Sequence, residues 1–169
     1  MKLSIVTTLY NSEEYVWDFY DRASRAAQNL VGNDYEIIFV NDGSPDSSLD
    51  KAIHLTHEHN NIKIIDLSRN FGHHKAMMTG LEHSSGDNVF LIDSDLEEKP
   101  EWLSSFNKQM NKDNADMVYG IQEYRKGAFI EKFTGVIFYK VFRLLTCVAQ
   151  PNNIVTARLM SRRYVNALI

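Results

Sequence analysis

The sequence predicts an α/β fold in which a mainly parallel sheet is flanked by helices. Over the first 121 residues, short β-rich runs alternate with longer segments of helical periodicity. The run at residues 35–40 is nearly all apolar, which is typical of a strand buried on both faces of a parallel sheet. Polar residues gather directly after the strand runs, where open α/β sheets bind their ligands.

Five strands are predicted, and the first four are each followed by polar residues. The strand runs cover residues 3–7, 35–40, 62–67, 88–92 and 116–121. Because the carboxyl ends of parallel strands meet at one edge of a sheet, the polar segments are expected to lie together. These segments are Tyr10-Asn11, Asn41-Asp42, Ser68-Arg69-Asn70 and Asp93-Ser94-Asp95.

Four helices are predicted between these strands. Ser12 is the expected N-cap of the first helix, and Gly32 stands where that helix should end. Pro100 is the expected first residue of the fourth helix, because proline is favoured at that position. The second helix ends near residue 59, the third covers residues 73–83 and the fourth ends near residue 112.

Length and composition indicate one soluble globular domain. The chain has 169 residues, of which 44% are hydrophobic and 24% are charged. A single cysteine, Cys147, excludes an internal disulfide framework and a Cys-rich zinc site, and it fits a reducing compartment. The amino-terminal residues are expected not to be a signal peptide, and no apolar run approaches the roughly 18 residues of a membrane span.

The charge of the chain is divided between two segments. Residues 1–121 hold 10 Lys and Arg against 20 Asp and Glu, whereas residues 122–169 hold 8 against 2. The acidic segment is a poor match for nucleic acid, because phosphate backbones reward clustered positive charge. The basic segment is suited to a membrane face, to a nucleic acid or to an acidic subunit. The sequence leaves homo-oligomerisation open.

Residues 122–169 are interpreted as a basic, helical end of the same domain. Apolar residues recur at helical spacing between residues 128 and 148, with Lys132, Lys140 and Arg143 among them. A helix that lies on a membrane and a helix that packs on the sheet explain this pattern equally well. A further helical pattern begins at residue 161 and stops without a capping signal, so the chain is expected to be truncated.

Asp93-Ser94-Asp95 is the sharpest candidate site. Residues i and i+2 of an extended chain face the same side, so Asp93 and Asp95 could share one hard cation that bridges a diphosphate. The alternative is a solvated loop or a turn. Glu97 and Glu98 are interpreted as residues at a helix start rather than as ligands.

Asp42 is the second candidate, because a carboxylate beside a glycine turn can bind a base or a ribose hydroxyl. An Asx turn that caps the loop is the alternative. Thr8, Tyr10 and Asn11 follow the first strand and could contact a nucleoside. Asp42 and Asp95 are expected to open onto one shared cleft.

Arg69 and Lys75 lie near the start of the third helix and could clamp a diphosphate, although two ordinary surface cations are the alternative. His73 and His74 are interpreted as capping or exposed residues, with a phosphate contact as the alternative. No P-loop, Rossmann glycine motif or nucleophile triad is recognisable.

In order and spacing, these blocks resemble the inverting family 2 glycosyltransferases with a GT-A nucleotide-sugar fold. The branch that they resemble contains dolichol-phosphate mannose synthase and bacterial polyprenyl-phosphate glycosyltransferases. The resemblance covers essentially the whole chain. Its main blocks are residues 8–11, 40–44, 67–76, 93–96 and 157–163.

The resemblance implies roles for the candidate residues. Thr8, Tyr10, Asn11 and Asp42 would hold the nucleoside, and Arg69 and Lys75 would lie near the diphosphate. Asp93 and Ser94 would contact the donor, and Asp95, with Asp93, would bind Mg²⁺ or Mn²⁺. The donor would be a UDP-, dTDP- or GDP-linked sugar, and the acceptor a lipid-linked phosphate or a glycan at the cytoplasmic membrane face.

The chain departs from the family pattern at two positions. Thr8 replaces the proline of the first loop, and Thr156 replaces the aspartate of a Gly-Asp-Phe-Arg-Leu-Met block. A sugar hydroxyl needs a general base, whereas a phosphate acceptor is already anionic. Because Thr156 stands where the family has an aspartate, the sequence identifies no catalytic base. The two alternatives are a base beyond residue 169 and an acceptor that needs none.

The expected function is therefore metal-assisted, inverting sugar transfer from a nucleotide donor in cell-surface polysaccharide synthesis, on the inner face of the membrane. The alternative is a catalytically silent module that binds a nucleotide or acts as a membrane-surface partner.

Overall fold

The computed structural model of the chain describes residues 2–121 and 154–169. The strands in these residues are β1 (Leu3–Leu9), β2 (Tyr35–Asn41), β3 (Ile62–Asp66), β4 (Asn88–Leu91), β5 (Met117–Ile121) and β6 (Ile154–Ser161). The helices are α1 (Val16–Val31), α2 (Ser48–Glu58), α3 (His73–Glu82), α4 (Trp102–Asp113) and α5 (Arg162–Leu168).

The strands form one mostly parallel sheet in the order β3-β2-β1-β4-β6-β5. β1 lies parallel to both β2 and β4, and β2 lies parallel to β3. β6 runs antiparallel to its neighbours β4 and β5. The predicted α/β fold with a mainly parallel sheet is therefore confirmed. Because β6 runs in the opposite direction, it begins at the edge where β1 to β4 end.

Apolar side chains cover both faces of the sheet. Alternate residues of β1 point to opposite sides, so Ile5 joins the core under α1, α2 and α4, whereas Val6 joins the core under α3 and α5. Gly80 brings α3 close to the sheet, because a Cβ atom at this position would lie 2.4 Å from Val6 Cγ1. The helices thus hold the strand ends, and the loops that follow them, in fixed positions.

The five predicted strands and four predicted helices are all present, but two helix starts are wrong. α1 begins at Val16 rather than after Ser12, whose hydroxyl donates to the Tyr10 carbonyl instead of capping a helix. α4 begins at Trp102, and Pro100 lies in the preceding turn, where its carbonyl accepts a bond from the Leu103 N–H.

β6 is a strand that the sequence interpretation does not contain. Its buried residues Ala157, Leu159 and Met160 fill the sheet between β4 and β5. The expected helix at residues 128–148 lies outside the described residues, and the division of the chain at residue 121 stays a prediction. In the described residues, the helices are too short or too polar to cross a bilayer.

Candidate functional site

A cleft opens at the carboxyl edge of the sheet between the loops that follow β1 and β4. Its volume is about 350 Å³, and it brings together most of the residues that the sequence singled out in these two loops. The lining residues are Thr8, Tyr10, Asn11, Ser12, Tyr15, His73, Asp93, Ser94 and Asp95.

Ser94 ties the two loops of the cleft together. Its hydroxyl donates to the Thr8 carbonyl at 2.9 Å and lies 3.1 Å from the Ser12 hydroxyl. The residue is only 4% exposed, so most of its side chain is turned away from solvent. Ser94 therefore fixes the distance between the Asp93–Asp95 segment and the end of β1.

His73 joins two of the predicted site residues. Its Nδ1 lies 3.1 Å from Thr8 Oγ1, and its Nε2 lies 3.3 Å from Asp93 Oδ1. The ring therefore bridges the ends of β1 and β4 from the first turn of α3. The sequence interpretation gave His73 a capping or exposed role, and no local pattern marks this bridge between residues that are far apart in the chain.

Asp95 is the most open carboxylate of the cleft. Its Oδ1 accepts a bond of 3.0 Å from the Glu97 N–H, and this short turn is closed by Leu96, which has a φ angle of 61°. The side chain is exposed, in contrast to that of Ser94. Asp95 therefore keeps oxygen lone pairs available at the mouth of the cleft.

Asp42 lies at the same edge of the sheet, but it does not line the cleft. It is 2% exposed, and its two carboxylate oxygens accept bonds from the Phe71 N–H at 2.7 Å and the Gly72 N–H at 3.1 Å. Asp42 therefore holds the loop that leads into α3, the helix that carries His73. Its predicted nucleoside contact stays a prediction.

Arg69 and Lys75 also lie outside the lining of the cleft. The Arg69 guanidinium stacks over the Phe71 ring at 4.6 Å, and Lys75 is exposed in the first turn of α3. Gly43 allows this loop to approach β2, because a Cβ atom at this position would lie 2.5 Å from the Asn70 N atom. The predicted diphosphate clamp stays a prediction.

Asp46 braces the loops behind the cleft. It accepts bonds from the hydroxyls of Ser44 and Ser48 and from the Glu13 N–H. Burial tends to raise the pKa of Asp46, but these hydrogen bonds outweigh burial and hold its pKa at about 2. The loops after β1 and β2 are therefore joined through an ionised carboxylate.

Glu98 is a residue whose position the sequence interpretation missed. It was assigned to a helix start, but it is 8% exposed and its Oε1 accepts a bond of 2.7 Å from the Thr156 N–H of β6. Oε2 is buried, with no hydrogen-bond partner in residues 2–121 and 154–169. Burial raises the pKa of this carboxyl, and the negative charges of Asp93 and Asp95 raise it further. A contact across 58 residues of chain leaves no signal in a local pattern.

The carboxylates of the cleft fit a cation that a ligand helps to hold. Within residues 2–121 and 154–169, no three His, Cys, Asp or Glu side chains form a metal-binding group. Mg²⁺ commonly uses one or two carboxylates together with substrate phosphates and water. Asp93 and Asp95 therefore suit a cation completed by a diphosphate better than a permanent, all-protein site.

Comparison with known proteins gives consistent family matches. The family described as Glycosyl transferase family 2 matches residues 4–169. A protein of Mycobacterium tuberculosis named as a glycosyltransferase is 50% identical over 169 residues, which are 100% of this chain and 49% of that protein. YkcC of Bacillus subtilis, an uncharacterized glycosyltransferase, is 34% identical over 96% of this chain and 50% of its own length. The chain thus spans about half the length of these relatives.

Two solved structures share the fold. The mannosyltransferase PcManGT of Pyrobaculum calidifontis, in complex with GDP-Man and Mn²⁺, has a TM-score of 0.71 at 17% identity and covers 99% of this chain and 46% of its own. Glucosyl-3-phosphoglycerate synthase of Mycobacterium tuberculosis, with Mn²⁺, UDP and glucosyl-3-phosphoglycerate, has a TM-score of 0.68 at 22% identity and covers 96% and 57%. The architecture is therefore the GT-A fold of the nucleotide-sugar transferases.

Proposed function

The chain belongs to glycosyl transferase family 2, and from that premise we propose that it transfers a sugar from a nucleoside-diphosphate donor to an acceptor. The observation that carries the proposal is the cleft, in which Thr8, Tyr10 and Asn11 face Asp93 and Asp95 across one opening. Loop residues with hydroxyl, aromatic and amide groups suit a nucleoside, and the paired carboxylates suit a cation on its diphosphate.

Charge supports a divalent cation, Mg²⁺ or Mn²⁺, as part of the bound donor. A diphosphate that enters the cleft meets the carboxylates of Asp93 and Asp95, and like charges at short distance repel. Asp95, together with Asp93, would hold the cation. When bound, the cation would neutralise the negative charge that develops on the departing diphosphate. The Mn²⁺ bound in two structural neighbours agrees with this proposal.

The residues of the chain would act mainly by positioning the donor. Tyr10 is 49% exposed, so its ring is available for stacking on a base. Ser94 holds Asp93 and Asp95 at a fixed distance from Thr8, and His73 orients the Asp93 carboxylate. The proposed reaction is one in-line displacement with inversion, in which an anionic phosphate oxygen of the acceptor attacks the anomeric carbon, the bond from that carbon to the diphosphate breaks and the diphosphate oxygen takes the bonding electrons. Because the attacking oxygen carries no proton, this step needs no general base.

The finer assignment follows the resemblance to the polyprenyl-phosphate branch and the division of charge. The excess of Lys and Arg in residues 122–169 would attract the anionic cytoplasmic face of a membrane. The reaction would then belong to cell-surface polysaccharide synthesis. Sedimentation with anionic vesicles at low and high salt tests this membrane contact, because the attraction is expected to weaken as salt increases.

The proposal is tested by calorimetric titration of the chain with UDP, dTDP and GDP, each with and without Mn²⁺. We expect Mn²⁺ to tighten the binding of one nucleotide by about tenfold or more. Asp95→Asn should abolish this gain, whereas Asp113→Asn, which changes an exposed carboxylate at the end of α4, should retain it. If no nucleotide binds more tightly with Mn²⁺, or if Asp95→Asn retains the gain, the proposal is wrong.

One observation favours a second candidate, a module that binds a nucleotide without transferring a sugar. Thr156 stands where the family pattern has an aspartate, and its backbone N–H is bonded to Glu98. Metal-dependent nucleotide binding without donor hydrolysis or transfer, measured on the whole protein, would favour this candidate over the enzyme.

A further inference from the structure

The segment between β1 and α1 brings two tyrosines to the cleft. Tyr10 follows the last residue of β1, and Tyr15 precedes the first residue of α1. Both line the same opening as Asp93 and Asp95. The resemblance to the family assigns Tyr10 to the nucleoside, whereas Tyr15 has no assigned role.

The backbone of Tyr15 is held on both sides by hydrogen bonds. Its N–H donates to the Ser12 carbonyl at 2.9 Å, and its carbonyl accepts a bond of 2.8 Å from the Phe19 N–H. The side chains of Val16 and Phe19 are fully buried and make the core contacts at the start of α1. The Tyr15 ring therefore projects from a fixed position of the backbone.

The turn that brings both rings to one opening is braced by the segment after β2. Asn11 has a left-handed φ angle of 52°, a conformation that asparagine adopts more readily than most residues. Its N–H donates to Ser44 Oγ at 2.8 Å, and the next N–H, that of Ser12, donates to Ser48 Oγ at 3.0 Å. Two consecutive backbone bonds thus fix the path of the chain from Tyr10 towards Tyr15.

The two tyrosines of the cleft differ from the other exposed aromatic residues in having free ring faces. The exposed Phe, Trp and Tyr side chains of the described residues are Tyr10, Tyr15, Trp17 and Phe71. Trp17 stacks on a histidine of α2, and Phe71 lies under the guanidinium of Arg69. Neither Tyr10 nor Tyr15 has a ring or cation partner in this part of the chain. An exposed ring face inside a cleft is a surface on which a flat ligand group can stack.

We propose that Tyr15 is a second stacking surface for the base of the nucleotide donor, so that Tyr10 and Tyr15 hold the base together. This inference rests on the proposed function, because it concerns the donor of the same transfer. Every nucleobase has a flat π-face, and stacking on aromatic side chains contributes strongly to the binding of bases. Tyr15 is 37% exposed, so most of the side chain already lies against the protein and loses little freedom when a base binds.

The contact is assigned to the ring face of Tyr15, which defines three informative variants. Tyr15→Ala should weaken nucleotide binding by about tenfold, because the stacking surface is lost. Tyr15→Leu should weaken it to a similar extent, because it keeps apolar bulk against the loop but has no aromatic face. Tyr15→Phe keeps the face and should bind the nucleotide within about twofold of wild type.

The test compares a nucleotide with its diphosphate group alone. The full chain and its variants are titrated calorimetrically with UDP and with GDP in the presence of Mn²⁺, and inorganic pyrophosphate is added as a competitor. Pyrophosphate carries no base, so its affinity should stay within about twofold in Tyr15→Ala and Tyr15→Leu. Trp17→Ala is the matched control, because it removes an exposed aromatic side chain outside the lining of the cleft and should change neither affinity.

The outcomes separate this inference from the proposed function. Tyr15 is not a stacking surface if Tyr15→Ala and Tyr15→Leu bind the nucleotide as wild type does, or if Tyr15→Phe is as weak as Tyr15→Ala. Equal losses of nucleotide and pyrophosphate affinity would show a distorted cleft and would also overturn the inference. In each of these cases wild type still binds a nucleotide with Mn²⁺, and the proposed function stands. If wild type binds neither UDP nor GDP, the proposed function and this inference are both wrong.

Discussion

Two glutamates at opposite edges of the sheet, Glu36 and Glu98, differ in how well the surrounding donors satisfy them. At the amino edge, Glu36 Oε1 accepts bonds from the Ser4 hydroxyl, the Ser85 N–H and the Ser85 hydroxyl, all within 2.7 Å. At the carboxyl edge, Glu98 Oε2 has no partner among the described residues, and Asp95 Oδ1 accepts a bond from the Glu97 N–H. Glu36 is thus saturated with hydrogen bonds, whereas Glu98 and Asp95 keep acceptor capacity.

The pKa values of these two glutamates differ in the same way. Burial alone would raise the pKa of Glu36, but the donors of Ser85 and Ser4, with Lys63 nearby, lower it to about 2. Burial and the negative charge of Asp93 raise the pKa of Glu98. Glu36 therefore stabilises the fold as an anion, whereas ionisation of Glu98 costs stability. This contrast separates a glutamate that stabilises the fold from one that leaves a buried acceptor oxygen without a partner among the described residues.

The largest expected effect is the loss of Glu36. Glu36→Ala removes the acceptor shared by Ser4 and Ser85 and should lower the free energy of unfolding by about 3 kcal/mol. Urea unfolding measures this loss. Nucleotide affinity should not change in the folded fraction, because Glu36 lies at the opposite edge from the cleft. A loss of affinity would show that the two edges are not independent.

The second effect is a dependence of stability on acid. A carboxyl whose pKa is lowered by folding stabilises the protein at pH values above its ordinary pKa. This contribution is lost as the pH falls toward the folded-state pKa. For Glu36 the pKa falls from 4.5 to about 2, so about 2 kcal/mol should be lost between pH 7 and pH 3. Urea unfolding of wild type and Glu36→Gln at both pH values isolates this share. An equal loss of unfolding free energy in the two proteins between pH 7 and pH 3 would contradict this prediction.

Most of the fold could be predicted because its signals are local. The strand at residues 35–40 is apolar except for Glu36, and α3 begins and ends within one residue of its predicted bounds. β6 was missed because its strand signal is weak. Its β-branched residues, Ile154 to Thr156, are followed by the small Ala157 and by Arg158, and the segment was interpreted as helical. Its pairing with β4 is a long-range property of the chain.

The loops of the site could be predicted, but their internal contacts could not. Asp93 and Asp95 do face the residues that follow β1, as the sheet rule implies. Asp42 instead binds the backbone of residues 71–72, and Thr156 brings a backbone N–H to Glu98. These bonds depend on how distant loops meet, which no residue pattern within one loop encodes.

A smaller effect is expected at Glu98, whose Oε2 has no partner among the described residues. Because the pKa of Glu98 is raised, the stability that this group contributes is present at low pH and is lost as the pH rises above its ordinary value of 4.5. Glu98→Gln keeps the bond to the Thr156 N–H without the buried charge, so it should be at least as stable as wild type at pH 7. Thermal unfolding at pH 4 and pH 7 measures the difference, which should shrink at pH 4. A variant clearly less stable than wild type at pH 7 would place Glu98 with Glu36 as a stabilising anion.

The smallest effect is expected at His73, where the two loops of the cleft meet. His73→Phe keeps a ring but removes both nitrogens, so Thr8 and Asp93 lose their common partner. The ring is 44% exposed, and such pairs contribute about 0–1 kcal/mol, so the unfolding free energy should change little. Nucleotide affinity with Mn²⁺ should fall by about threefold, because Asp93 is no longer held in place. His74→Phe is the matched control, since His74 is the exposed neighbour whose ring lies 5.8 Å from that of His73. If both variants weaken nucleotide binding equally, the effect belongs to the loss of a polar ring from the surface of α3 rather than to the bridge between Thr8 and Asp93.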